Sequence, residues 1–266
     1  MKEFIEKELT QIKEPKLKRL ALAEIIQHFV LQNLFRQNAF KYLTFTGGTA
    51  LRLLYHTGRY SEDLDFSLTG KSNKKLEKLF TDLQKDFGKL NLDFELFQKE
   101  RKSIYQADLR FPKILQKFNL SPLKDQKLTI KIEIDKIPPK GGNEELMLVA
   151  SPISYKVLLF DLPSLFATKL CAIFFRKYTK GRDYYDLMWF LGKKIKPNFL
   201  LLNNAIKQIK PQSEKITEEN FKEKLISHFK QVDFKKIRFE LGKFIISEYE
   251  LEFISFEALS SLLKAY

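Results

Sequence analysis

The chain has 266 residues, of which 44% are hydrophobic and 30% charged, enough for one large domain or two smaller ones with a hydrophobic core. No apolar run is long enough to span a bilayer and the N-terminus is charged throughout, so we expect a cytoplasmic protein with no membrane partner. The formal charge of +14 favours polyanionic partners, and the single cysteine, Cys171, excludes an intrachain disulfide and a cysteine-based zinc site.

The first part of the chain mixes helical and strand patterns. Apolar residues at helical spacing predict helices over residues 15–38, 49–57 and 73–89. Period-two or β-rich patterns predict strands at 41–45, 63–68, 92–97, 103–111 and 128–135. Alternation along "DLDFSL" places Asp63, Asp65 and Ser67 on one face and the apolar residues on the core face. A polar loop, "PPKGGNEE", follows the last of these strands.

The pattern changes after this loop. Two helices separated by Gly181 are expected within residues 162–194, and residues 198–266 are almost wholly helical in pattern. We therefore predict an α/β (α+β) protein in which a mixed sheet with flanking helices occupies residues 1–160 and a helical domain occupies residues 161–266.

A glycine turn precedes the carboxylate pair. Gly47 and Gly48 lie between a strand and a helix, where backbone N–H groups form an anion site, and Thr49 adds a hydroxyl. Asp63 and Asp65 would repel each other unless a cation such as Mg²⁺ bound between them. Taken separately, the glycines are also consistent with a simple tight turn and the acids with a solvated strand face.

A third acid on a neighbouring strand would complete the ligand shell of a metal bound by Asp63 and Asp65 or accept a proton. "KIEID" offers Glu133 and Asp135 on one face, and the residues themselves leave both open. Lys131 and Glu133 are also consistent with ordinary surface charges.

A lysine lies in the apolar helix that follows. Lys169 either extends to solvent or points at an anion, and Arg176 lies on the same helix face. In "RDYYDL", Asp183 and Asp186 share a face of the next helix, where acids often only complement the helix dipole.

Glycine pair, helix and Asp-x-Asp strand together resemble the signature of the nucleotidyltransferase β superfamily. The closer resemblance is to the AbiEii-type toxins of type IV toxin–antitoxin systems, in two blocks. The first comprises "GGTAL" (Gly47–Leu51) and "R-x-S-E-D-L-D-F" (Arg59–Phe66), and the second comprises "K-L-x-A" and "R-D-x-x-D-L", carried by Lys169, Leu170, Ala172, Arg182, Asp183, Asp186 and Leu187.

The resemblance implies a nucleotidyltransferase fold and roles for the matched residues. Asp63, Asp65 and Glu133 would bind the metal, since the third acid of these families lies in a strand like "IKIEI"; Asp135 is the substitute. Lys169 would bind the triphosphate, and Asp183 would hold Lys169, the base or the ribose. Further nucleotide-binding residues are expected at Gly47, Gly48, Thr49, Ser61, Arg182 and Asp186.

The expected activity is Mg²⁺- or Mn²⁺-dependent transfer of a nucleotide from an NTP to RNA, with the tRNA 3′ end as the leading acceptor. A cognate antitoxin encoded nearby is the expected partner. The alternatives are nucleotidyl transfer to a small molecule or a protein, phosphorylation within its own chain, and a non-catalytic nucleotide- or RNA-binding module.

Overall fold

The computed structural model describes residues 2–69, 76–123 and 125–266. Two helices open the chain, α1 (Lys2–Thr10) and α2 (Pro15–Arg36). Pro15 stands in the first turn of α2, where its missing N–H costs no hydrogen bond. The long N-terminal helix predicted from the sequence is therefore confirmed, and it ends two residues early.

Seven strands form one mixed sheet. They are β1 (Leu43–Thr46), β2 (Asp63–Leu68), β3 (Glu95–Glu100), β4 (Ile104–Phe111), β5 (Leu128–Asp135), β6 (Glu144–Val149) and β7 (Tyr155–Phe160). Their order in the sheet is β3-β4-β5-β2-β1-β7-β6, with β2 in the centre. β2 runs parallel to β5 and antiparallel to β1, and β1 runs parallel to β7. The predicted α/β class with a mixed sheet is confirmed.

The two faces of the sheet differ in chemistry. Helix α4 (Leu76–Lys89) packs on one face, where the Phe80 ring stacks on Tyr105 of β4 at 5.8 Å between centroids, and α2 contacts β5. Every second residue of β5 is buried, from Leu128 to Ile134, as period-two alternation requires. The intervening positions carry Lys131, Glu133 and Asp135, so the polar side chains of β5 share the other face.

Several expectations need correction, among them the strand predicted at 92–97, which the structure has at Glu95–Glu100. Ser67 is buried while Leu68 is half-exposed, so the expected alternation of buried and exposed residues breaks down at the end of β2. The loop predicted through Glu145 ends earlier, since β6 begins at Glu144. The sequence also assigned no element to residues 146–160, where β6 continues and β7 lies. The first three residues of the helix predicted over 73–89 lie outside the described residues.

A second compact unit is mainly helical. The chain divides into one unit of residues 1–54, 60–138 and 146–159 and a second of residues 55–59, 139–145 and 160–266. The second contains α6 (Leu162–Phe175), α7 (Gly181–Gly192), α8 (Phe199–Ile209), α9 (Phe221–Phe229), α10 (Phe234–Leu241) and α11 (Phe256–Ala265). The short helices α3 (Gly47–Tyr55) and α5 (Ile114–Lys117) belong to the first unit, except for Tyr55 at the end of α3.

Side-chain caps explain where several of these helices begin. Asp161 accepts a hydrogen bond from the Ser164 N–H at the start of α6, at 2.9 Å, and Asn198 and Ser255 cap α8 and α11 in the same way. Within the described residues, no helix is long and apolar enough to cross a membrane.

Candidate active site

The glycine turn lies directly against the carboxylate strand. β1 ends at Thr46 and α3 begins at Gly47, which has φ +78°, a conformation that suits glycine. A Cβ on Gly47 would overlap the Asp65 carboxylate and lie 2.9 Å from its Cγ. Position 47 therefore requires glycine for two reasons, the backbone conformation and the closeness of Asp65.

We expect Gly47→Ala to lower both stability and activity. The positive φ alone costs a non-glycine residue about 1–3 kcal/mol, and the new methyl group must also displace Asp65. Thermal unfolding and nucleotide transfer, measured on the same preparation, check this. Gly192→Ala is the matched control, since a Cβ there meets nothing within 4 Å. Transfer at the wild-type rate by Gly47→Ala would show that Asp65 needs no fixed position.

Thr49 and Ser61 are tied to the backbone near β2. Thr49 is fully buried, and its hydroxyl donates a hydrogen bond to the Asp63 carbonyl. Ser61 is 7% exposed, and the Gln27 side-chain amide donates to the carbonyls of Ser61 and Glu62 at 3.0 and 2.9 Å. The Thr49 hydroxyl and the Gln27 amide therefore fix the strand that carries Asp63 and the loop before it.

The three predicted acids come together on two paired strands. In the parallel register of β2 and β5, Asp65 lies opposite Glu133 and Asp63 lies opposite Lys131. Asp63 and Asp65 share a strand face at i and i+2. Lys131 Nζ lies 2.5 Å from Glu133 Oε1, an ion pair that the sequence did not predict. Partial burial opposes the charge of Lys131, but Glu133, with Asp63 and Asp108, raises the pKa of the lysine.

Asp135 has a different environment. Its Oδ1 accepts a hydrogen bond from the Ile137 N–H at 2.9 Å, so the carboxylate closes the turn after β5. Burial raises the pKa of Asp135, and the hydrogen bond only partly offsets this. Its register partner on β2 is Ser67, whereas that of Glu133 is Asp65. The register thus pairs Glu133, not Asp135, with the Asp63–Asp65 pair.

The donor chemistry suits a hard divalent cation. Carboxylate oxygens are the ligands that Mg²⁺ prefers, and Asp63 and Asp65 place two of them on one strand face. Within residues 2–69, 76–123 and 125–266, no group of three or more His, Cys, Asp or Glu side chains is already gathered as a metal site. Glu133 is instead paired with Lys131. The arrangement therefore fits a metal bound mainly by Asp63 and Asp65.

A second cluster of charges lies within the helical unit. Lys169 Nζ on α6 is 2.8 Å from Asp186 Oδ2 and 3.3 Å from Asp183 Oδ1, both on α7. Arg176, at the end of α6, forms an ion pair with the other oxygen of Asp183. Arg59 binds both oxygens of Asp186. Lys169 thus points at two carboxylates in the structure, and it does not extend to solvent.

Arg182 points to another part of this unit. Its guanidinium lies 4.2 Å from the centroid of the Phe244 ring, and its Nε is 4.0 Å from Glu240 Oε1. The Gly181 N–H donates to the same Glu240 side chain, so the start of α7 is fixed against α10.

Comparison with known proteins agrees with this fold. A family model described as the AbiEii nucleotidyl transferase toxin of type IV toxin–antitoxin systems matches residues 30–258. Among curated proteins, none matches the chain in sequence. The MenT4 nucleotidyltransferase toxin of Mycobacterium tuberculosis superposes with a TM-score of 0.59 at 16% identity, covering 100% of this chain and 90% of that one.

Two Helicobacter pylori structures are also similar. JHP933 has a TM-score of 0.53 at 21% identity, covering 92% of this chain and 90% of that one. A candidate nucleotidyltransferase has a TM-score of 0.51 at 20% identity, covering 91% and 92%. At such low identities these likenesses show a shared fold, whereas the family model spans most of the sequence. The chain therefore belongs to the AbiEii family of nucleotidyltransferase toxins of type IV toxin–antitoxin systems.

Proposed function

We propose that this nucleotidyltransferase uses Mg²⁺ (or Mn²⁺) to transfer a nucleotide from an NTP to RNA, with the 3′ end of tRNA as the acceptor. The observation that carries the proposal is the register that sets Glu133 opposite Asp65, beside the Gly47 turn. The charge of +14 supports an RNA acceptor, since phosphate contacts dominate the affinity of proteins for nucleic acid. The family implies a nucleotide substrate and a cognate antitoxin.

The residues of the sheet unit have separate tasks in this proposal. Asp63 and Asp65 hold the metal, which when bound offsets the charge of the triphosphate. The backbone N–H groups of Gly48 and Thr49, at the start of α3, bind phosphate oxygens. The acceptor hydroxyl oxygen bonds to the α-phosphorus, pyrophosphate leaves, and Glu133 takes the hydroxyl proton.

The charged cluster of the helical unit contributes nucleotide binding. Lys169 contacts the triphosphate, and Asp183 holds Lys169. Ser61, in the sheet unit, and Arg182, on α7, are further residues that we propose contact the nucleotide. Asp186 is fully buried with both oxygens bound, so we assign it to holding Lys169 and not to direct contact with the nucleotide.

The test is incubation with each labelled NTP and total RNA, followed by sizing of the labelled product. We expect label on tRNA-sized RNA in the presence of Mg²⁺ and none in EDTA. Purified tRNA with a periodate-oxidised 3′ end should accept no label. Label on a small molecule would identify a different acceptor, and label on the protein itself would identify self-modification. Either result, without labelled RNA, would overturn the proposed acceptor.

Lys169→Met tests the role of the helical unit. Loss of a charge-assisted contact to the triphosphate costs about 1.5–3 kcal/mol, so NTP affinity or turnover should fall by roughly tenfold to over a hundredfold. The melting temperature should change little, because Asp186 keeps Arg59 and Asp183 keeps Arg176 as counter-ions.

Lys169→Ala should lose the same activity, and Lys177→Met, at an exposed lysine beyond α6, is the matched control. If Lys169→Met binds and turns over NTP like the wild type at an unchanged melting temperature, α6 is not part of the site.

A further inference from the structure

Arg59 is a fully buried cation with a single carboxylate as its main partner. Its side chain is 1% exposed, and Asp186 is 0% exposed. Arg59 Nε lies 2.7 Å from Asp186 Oδ1, and its Nη2 lies 2.6 Å from Oδ2. This two-point contact fixes the plane of the carboxylate as well as its position.

The same carboxylate holds Lys169. Its Oδ2 accepts from Lys169 Nζ at 2.8 Å, so Asp186 bridges the guanidinium and the ammonium. A lysine side chain is long and loses substantial rotamer entropy when it is ordered. A carboxylate that cannot rotate therefore gives the Lys169 ammonium one defined place before any nucleotide binds.

Arg59 is itself firmly seated within the helical unit. Its backbone pairs with Ile245, and the Ile246 N–H donates to the Gly58 carbonyl at 3.1 Å. A Cβ on Gly58 would lie 2.6 Å from the Tyr185 hydroxyl, so the chain passes close to α7 at this point. Backbone contacts therefore fix the position of Arg59, and Asp186 fixes its guanidinium.

Arg59 also sets the charge of the cluster. Lys169, Arg176 and Arg59 face the carboxylates of Asp183 and Asp186, which leaves one formal positive charge. Burial opposes ionisation of Asp186, but Arg59 and Lys169 together keep the pKa of its carboxyl below the usual value. Without Arg59, the two acids would neutralise Lys169 and Arg176, and the attraction for a triphosphate would weaken.

We propose that Arg59 is a positioning residue for nucleotidyl transfer: acting through Asp186, it fixes the Lys169 ammonium for the triphosphate and keeps the cluster cationic. The inference rests on the proposed role of Lys169. The alternative hypothesis is that the Arg59–Asp186 pair only stabilises the fold, since a buried bidentate ion pair can do so without any role in catalysis.

The double variant Arg59→Met/Asp186→Leu distinguishes the positioning role from the purely structural role. Replacing both members of a buried ion pair by apolar residues is often neutral or stabilising, whereas Arg59→Met alone leaves a buried carboxylate short of one cation. A structural pair predicts that the double variant recovers both its melting temperature and its activity. A positioning pair predicts a recovered melting temperature with NTP Kd and KM raised on the order of tenfold or more, and kcat changed less.

Arg59→Lys provides a second variant should the double variant not fold. Lysine keeps the charge but cannot engage both carboxylate oxygens in one plane. We expect a folded protein whose KM for NTP stays above the wild-type value. Wild-type NTP affinity in Arg59→Lys or in the folded double variant overturns the inference.

Lys169→Met, measured beside these variants, shows whether a failed prediction refutes the proposed role of Lys169 or only that of Arg59. NTP binding by calorimetry is the shared readout, since it needs no knowledge of the acceptor. If Lys169→Met binds NTP normally, the proposed role of Lys169 fails and the inference fails with it. If Lys169→Met is impaired and the double variant is normal, the positioning role of Arg59 alone is refuted.

Discussion

Asp65→Asn is expected to reduce nucleotide transfer by at least about 10²–10³-fold while the protein remains folded. Asparagine has the shape of aspartate, so it fits the space beside Gly47. The substitution removes one of two acids that repel each other on β2, and this relieves the metal-free protein. What is lost is the charge that we propose holds the metal, and losing one positioned electrostatic group has an effect of this size.

Three measurements on Asp65→Asn belong together: transfer rate, melting temperature and Mg²⁺ or Mn²⁺ binding by calorimetry. Asp93→Asn, at an exposed aspartate of the same unit before β3, is the matched control and should behave as the wild type. A wild-type transfer rate in Asp65→Asn would refute the assignment of the metal to the β2 acids.

Glu133→Gln should reduce transfer by about 10²-fold or more, and Asp135→Asn by far less. Glu133 lies opposite Asp65, whereas Asp135 accepts the Ile137 N–H in the turn after β5. Asparagine at 135 keeps an oxygen that can accept this hydrogen bond, so Asp135→Asn should also fold normally.

The comparison is made as transfer rates of the two variants under identical Mg²⁺ and NTP concentrations. Lys131→Met is an informative addition, because it removes the counter-ion that Glu133 has in this structure. Small and equal losses in Glu133→Gln and Asp135→Asn would mean that this strand face is only a solvated surface.

Local patterns predicted much of the fold. β2 has the bounds expected from the alternation in "DLDFSL", because a half-buried strand shows its period in six residues. α3 also follows from the glycine turn and the apolar face after it, but it spans Gly47–Tyr55 where the sequence predicted 49–57. β7 was missed because it is short and apolar except for Lys156, so its period is hard to recognise, and its parallel partner β1 lies more than a hundred residues away.

Side-chain partners were harder to predict than elements. The pairing of Asp186 with Arg59 joins residues 127 positions apart, and no local pattern indicates such a contact. Arg59 was visible only as one letter of a motif, without a role. Lys131 and Glu133 did carry a local signal, since opposite charges at i and i+2 of a strand share a face.

The buried Arg59–Asp186 pair has a consequence for how the protein can be divided and made. A fragment that begins at residue 161 would keep Lys169 as the counter-ion of Asp186 but lose the two-point contact from Arg59, and removing one member of a buried ion pair is destabilising. During synthesis, Arg59 leaves the ribosome 127 residues before its partner. The helical unit can therefore complete its core only after more than half of the chain has been translated, so a polypeptide truncated before Asp186 would expose Arg59 to water and to chaperones.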